Sequence, residues 1–98
     1  MTIEMKKTDA QTVLEVSGRL DTTTAPALDK TIQEEVSEQT ALVLDLKELA
    51  YISSAGLRVL LSAQKRMRKQ GSMKLRNVRE EIMEVFEMTG FADILEIE

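Results

Sequence analysis

The 98-residue chain contains no cysteine and no histidine. The first absence excludes disulfides, thiol nucleophiles and cysteine-ligated zinc. The second removes the usual general base, the serine–histidine triads and most transition-metal sites. Only four glycines occur, and none falls in a Walker A or G-x-G-x-x-G pattern. No acidic run has the spacing of an EF-hand loop. An enzyme would have to be assembled from Asp, Glu, Ser, Lys and Arg alone, so a binding protein without metal or cofactor is the expectation. Tryptophan is absent and the aromatics are two Phe and one Tyr, which predicts a core of aliphatic side chains and methionine. No apolar run approaches the ~20 residues needed to span a bilayer. The opening segment Met1 to Lys7 is too polar and too alternating for a signal peptide. Those two features predict a cytoplasmic protein with no membrane partner.

What is present fits one domain over residues 1–98, with an adequate but small core. Hydrophobic residues make up 43% and charged residues 31%, ordinary values for a globular chain. The net charge of −4 conceals a segregation. Residues 1–57 carry five Lys or Arg against ten Asp or Glu; residues 58–77 carry seven basic side chains and no acid; residues 78–98 carry one against seven. A basic stretch invites a nucleic-acid reading. Here no aromatics interleave it and the whole is acidic, so a solvated helix face is favoured and no nucleic acid is expected. The acidic surface and the lack of a long apolar edge strand favour a monomer.

The pattern along the chain alternates strands and helices. Thr2 to Lys7 and Gln11 to Ser17 form a strand pair, after which Gly18 interrupts the pattern. Thr22 to Thr24 offer N-caps, Pro26 sits in a first turn, and Leu28, Ile32 and Val36 predict a helix from about Ala25 to Glu38. Ala41 to Leu46 barely alternates and reads as a strand buried on both faces. Leu57, Leu60, Leu61, Gln64 and Met67 predict a helix from Ser54 to Gln70, closed by Gly71. Met73 to Arg76 is a short strand, Arg79 to Thr89 a third helix stopped by Gly90, and Ile94 to Ile97 a final short strand. The order implies an α/β fold: a mixed β-sheet of four to five strands packed with three to four α-helices.

In open α/β sheets, functional sites favour the carboxyl ends of strands. Asp21 follows the second predicted strand, and Ser53 and Ser54 follow the third. A serine at a strand–helix junction has two readings. It can cap the helix with its side-chain oxygen. The same place suits an anion, because free backbone N–H groups and the helix dipole favour negative charge. Asp21 is open to the same choice, as a cap or as a site residue. Asp45 reads as a strand-end hydrogen-bonding group, since a buried carboxylate needs partners. Gly56 permits close packing at the junction. Arg58 is either a solvated helix residue or a charge-assisted donor to a phosphate. Met73, Met83 and Met88 are read as core or partly exposed packing residues.

Gly18-Arg-Leu-Asp21, Leu44-Asp-Leu46, Ser53-Ser-Ala-Gly-Leu57 and Met88-Thr-Gly90 together resemble the bacterial anti-sigma factor antagonists. These are single-domain members of the STAS (sulphate transporter and anti-sigma antagonist) family, and the resemblance runs over essentially the whole chain. It implies a partner-switching protein. The unphosphorylated form would bind an anti-sigma factor, a serine kinase with a GHKL-type ATPase fold, and so release a sigma factor. Phosphorylation would end binding and a phosphoserine phosphatase would restore it. By position the phosphoacceptor is Ser54, with Ser53 as the alternative acceptor or as the cap. The partner-binding set is Asp21, Ser53, Ser54, Gly56 and Arg58. The family commonly has Asp just before the phosphorylated serine; this chain has Ser53 there. A STAS-type scaffold or regulatory module in another signalling complex, without sigma factor control, is the alternative reading.

Overall fold

The computed structural model describes residues 1–36 and 40–98. The first two strands, β1 (Thr2–Lys7) and β2 (Gln11–Leu20), form an antiparallel hairpin with Thr2 opposite Ser17 and Lys7 opposite Thr12. Its turn is closed by the Thr8 N–H, which donates to the Gln11 carbonyl at 2.8 Å. Strand β3 (Ala41–Asp45) runs parallel to β2, and a later strand, Ser72–Arg76, runs parallel to β3. One face of this sheet carries Leu14, Val16, Leu42, Leu44, Met73 and Leu75, all in the hydrophobic core. The other face carries Val13, Glu15, Val43 and Lys74, none of which belongs to that core. The period of two along each strand produces this division.

Three helices bury their apolar stripes against the core face. Helix α1 (Ala25–Glu35) contributes Leu28 and Ile32, and helix α2 (Ser54–Gln70) contributes Leu57, Leu60, Ala63 and Met67. Helix α3 (Glu80–Thr89) contributes Ile82 and Phe86, and ends at Gly90 in the left-handed conformation, φ 81°. The expected mixed sheet and three helices are therefore present, with five strands among the described residues.

Four local readings are corrected. Gly18 does not end β2: its φ of +88° bends the strand, which continues to Leu20. Beyond it lies an unforeseen strand, β4 (Leu49–Ile52), pairing parallel with β2. Gly18 pairs with Leu49 and Arg19 with Tyr51, so Ala50 is the extra residue of a bulge. Ser53 and Ser54 thus follow β4 rather than the buried strand 41–45; the Ser72–Arg76 strand is β5. Helix α1 stops at Glu35, because Val36 turns extended (φ −98°, ψ 111°) to bury its side chain. Glu38, where the helix was expected to end, lies outside the described residues. The expected strand at Ile94 to Ile97 is reduced to one bridge, Leu75 with Ile97, after a short 3-10 turn at Phe91–Asp93. Met73 is in the core as expected and Met83 half-buried, whereas Met88 is exposed.

Candidate functional site

The carboxyl ends of β2 and β4 lie side by side, and this pairing assembles the site. Arg19 is opposite Tyr51 and Leu20 opposite Ile52. The ladder then gains one more bond, from the Ser53 N–H to the Leu20 carbonyl at 2.9 Å. The turn that begins at Asp21 and the junction that begins at Ser53 are held together by that bond.

Asp21 organises its own turn. Its Oδ1 accepts from the Thr23 N–H (3.0 Å), the Thr23 hydroxyl (2.8 Å) and the Thr24 N–H (3.1 Å). The Thr24 hydroxyl accepts from the Asp21 N–H and donates to the Arg19 carbonyl, both at 2.8 Å. The carboxylate thus shapes the turn that leads into α1, whose N-cap is Thr24 and has no side-chain cap bond of its own. Oδ2 remains, 3.7 Å from the Arg19 guanidinium. The Thr23 hydroxyl bond, with the Thr24 bonds, holds the Asp21 carboxyl below the ordinary aspartate value despite some desolvation. Asp21 is therefore a fixed negative charge.

Ser53 takes an extended backbone (φ −99°, ψ 175°) and is the N-cap of α2. Its Oγ accepts from the Gly56 N–H at 3.4 Å, and its carbonyl accepts from the Leu57 N–H at 2.9 Å. Ser54 is the first helical residue and is exposed. Among the described residues no hydrogen bond engages its hydroxyl. The absence of acid in the first turn of α2 leaves the positive end of the helix dipole uncompensated there. Gly56 is buried, and a Cβ at its position would lie 2.8 Å from the Leu20 Cγ and 2.9 Å from the Ile52 Cγ1. The first turn of α2 is seated directly on the ends of β2 and β4 for want of that atom. Arg58 is exposed one turn along the helix and has no ion pair among the described residues.

Two residues beside this site were not foreseen. The Arg19 guanidinium stacks over the Tyr51 ring, 4.0 Å from its centroid, a cation–π contact on the surface. Only the β2–β4 pairing brings them together, so nothing in the local sequence announces the contact. Asp45 sits apart, at the end of β3. It accepts from the Lys47 N–H (3.1 Å), the Arg76 Nε (3.3 Å) and Asn77 Nδ2 (3.2 Å). Burial raises its pKa, but these donors outweigh it and hold the group below the ordinary value.

A hollow of about 320 Å³ lies between α1 and α2, and another of about 240 Å³ lies on the open sheet face. Neither is lined by Asp21, Ser53 or Ser54. Among the described residues no group of three or more acidic side chains could hold a metal ion. No helix there is long and apolar enough to cross a membrane. A surface that carries an exposed hydroxyl and a charged carboxylate can be recognised by another protein, and the hydroxyl can be modified by it.

Comparison with known proteins covers nearly the whole chain. The STAS domain family profile matches residues 2–98. The anti-sigma-B factor antagonist of Listeria monocytogenes is 34% identical over 100 residues, which covers 99% of this chain and 88% of that protein. The anti-sigma-B factor antagonist of Bacillus subtilis is 30% identical over 96 residues, covering 97% of this chain and 88% of its own length. Among solved structures, an anti-sigma factor antagonist from Mycobacterium paratuberculosis superposes with a TM-score of 0.86 at 27% identity, over 98% of this chain and 83% of that one.

Proposed function

The chain belongs to the STAS domain family, and on that premise we propose that it is an anti-sigma factor antagonist switched by phosphorylation of Ser54. Its role is binding, not catalysis, in keeping with the relatives it resembles. The unphosphorylated form binds an anti-sigma factor that is also a serine kinase, and so frees a sigma factor. The kinase transfers the γ-phosphoryl group of ATP to the Ser54 Oγ; ADP leaves, and the hydroxyl proton passes to the kinase. A phosphoserine phosphatase reverses the change.

The observation that carries this reading is the division between the two serines. Ser53 is occupied as the helix cap, whereas Ser54 presents an exposed hydroxyl, without a hydrogen bond among the described residues, at the first helical position. A phosphate there adds about −1.5 to −2 charges where the helix N-terminus tolerates them. The fold survives, and the surface beside the fixed charge of Asp21 becomes strongly anionic. A partner that fits the bare hydroxyl loses a hundredfold in affinity for about 2.7 kcal/mol of repulsion and desolvation.

The test is incubation with the serine kinase and ATP, phosphopeptide mass spectrometry, and binding assays on Ser54→Ala and Ser54→Asp. Modification is expected at Ser54, with binding kept by the alanine variant and weakened about a hundredfold in the aspartate variant. Modification confined to Ser53, or equal binding by wild type and both variants, refutes the proposal.

A further inference from the structure

We propose that the outer face of α2 is an electrostatic docking stripe that receives an acidic surface of the anti-sigma factor and extends the Ser54 site along the helix. This rests on the partner-switching reading above and names the chemistry of the partner's contact surface.

Helix α2 carries Arg58, Lys65, Arg66, Arg68 and Lys69 and not one acid from Ser54 to Gln70. Two of these cations are used within the fold. Arg66 donates to the Ile32 and Val36 carbonyls, both at 3.4 Å, and so closes the end of α1. Arg68 donates to the Ile94 carbonyl at 2.6 Å. Arg58, Lys65 and Lys69 remain, all exposed. The ion pairs among the described residues join Lys6–Glu15, Lys7–Glu35, Arg19–Asp21, Lys30–Glu34, Arg76–Asp45 and Arg79–Glu81. None involves α2. At 3.6 residues per turn, Ser54, Arg58, Lys65 and Lys69 fall within about 60° of arc and span about 22 Å.

A solvated helix face does not account for this arrangement. Such faces ordinarily alternate charge and gain from pairs four residues apart, as Lys30 and Glu34 do on α1. The dipole explains cations in the last turn, where Lys69 lies. It does not explain Arg58, which sits near the positive end. Helix α3 has Glu80 and Glu81 in its first turn; α2 has no acid there. Helix α2 thus forgoes two ordinary sources of stabilisation while keeping a row of unpaired cations in line with Ser54.

The occupant is an acidic protein surface and not nucleic acid. The stripe is one helix wide, holds three free cations and no aromatic, and belongs to a chain of net charge −4, which falls short of a nucleic-acid footprint. Three aligned charges steer an acidic partner and raise its association rate, an effect that salt screens. Phosphorylation of Ser54 places about −1.5 to −2 charges at the head of the stripe, one turn from Arg58. It offsets half or more of the stripe's charge at the end where contact is made.

The test uses the full chain and the purified serine kinase that phosphorylates it, with association rates measured by stopped flow at about 50 mM and about 500 mM salt. One variant is Lys65→Glu/Lys69→Glu. The other, Lys47→Glu/Lys74→Glu, makes the same change in net charge at two lysines off α2 that also lack ion pairs among the described residues. Thermal melts establish that both fold. The α2 variant is expected to associate about tenfold more slowly at low salt, with the deficit closing at high salt, while the control stays within about twofold. Equal slowing of both variants, or no slowing of the α2 variant, overturns the inference while leaving the Ser54 switch intact. Loss of binding to a single-stranded DNA of about 20 nucleotides, with kinase binding unchanged, replaces the acidic protein by nucleic acid. No binding of wild type to the kinase overturns this inference together with the reading beneath it.

Discussion

Replacing Gly56 by alanine sets two physical effects against each other, and the structure decides the sign. In the first turn of a helix, Gly→Ala is stabilising by roughly 0.5–1 kcal/mol, because alanine has less backbone freedom to lose. Here the new Cβ would lie 2.8 Å from the Leu20 Cγ, 2.9 Å from the Ile52 Cγ1 and 3.0 Å from the Leu20 carbonyl oxygen. None of these is the loose tip of a flexible side chain. The carbonyl is backbone and already accepts from the Ser53 N–H. Relief therefore requires the start of α2 to lift from the ends of β2 and β4. Overpacking of this kind costs about 1–3 kcal/mol, which leaves a net destabilisation of about 1–2 kcal/mol. For a domain of this size each kcal/mol moves Tm by about 4–8 °C. Thermal unfolding followed by circular dichroism should show Gly56→Ala melting about 5–15 °C below wild type. A variant that melts at or above the wild-type temperature would show that the junction is not seated as closely as described.

Two further outcomes follow from buried polar groups. The Thr12 hydroxyl is buried in the core face of β2 and has no hydrogen-bond partner among the described residues. Thr12→Val removes that orphan while keeping the shape, and should stabilise the fold by about 1 kcal/mol in urea unfolding; unchanged or reduced stability would refute the claim that the hydroxyl is unsatisfied. Asp45 has its pKa depressed in the folded state, by donors that outweigh burial. Its contribution is therefore fully present above the unfolded value of about 3.9 and is lost as pH falls through the lower folded value. Stability should be flat from pH 7 to about 5 and fall below about pH 4, with a shallower fall in Asp45→Asn. An equally steep fall in the variant would place the acid sensitivity elsewhere, and Asp21, also depressed, is the next candidate.

The helices could be read from the sequence because their apolar residues repeat with the period of a helix over ten residues or more. The strand pair and the buried strand at 41–45 were readable for the corresponding reason. Strand β4 was not. Leu49-Ala-Tyr-Ile52 is an apolar run only four residues long, and it buries Leu49 and Ile52 while exposing Ala50 and Tyr51, so it lacks the alternation of a half-buried strand and the length that marks a buried one. Gly18 misled in the opposite direction, since a positive φ within a strand produces a bend and a bulge as readily as an end. The serine junction was visible as spacing, but its surroundings were not. Arg19 on Tyr51 and Ser53 on Leu20 are cross-strand contacts between segments some thirty residues apart, and they exist only because β4 does. At the chain's end, Leu95 is buried and supplied the apolar signal for a strand. A single bridge to Leu75 is all that forms there, because the 3-10 turn uses up the residues before it.

On the proposed reading, the hydrogen-bonded frame around Ser54 is what suits it to act as a switch. Asp21 spends one carboxylate oxygen on Thr23 and Thr24 and faces Arg19 with the other. Ser53 is held at both its N–H and its Oγ. Gly56 fixes the helix against the strand ends by allowing no intervening atom. None of these groups can move to accommodate added charge without breaking a bond that shapes the turn. A phosphate on Ser54 therefore changes the surface potential and leaves the frame as it is. Ser53, in the position where the family commonly carries aspartate, sharpens the effect. It removes one permanent negative charge from the junction, so the contrast between bare hydroxyl and phosphate is set against Asp21 alone. On the proposed reading, one carboxylate partly balanced by Arg19 leaves the unmodified surface open to an acidic partner, and a phosphate on Ser54 would close it.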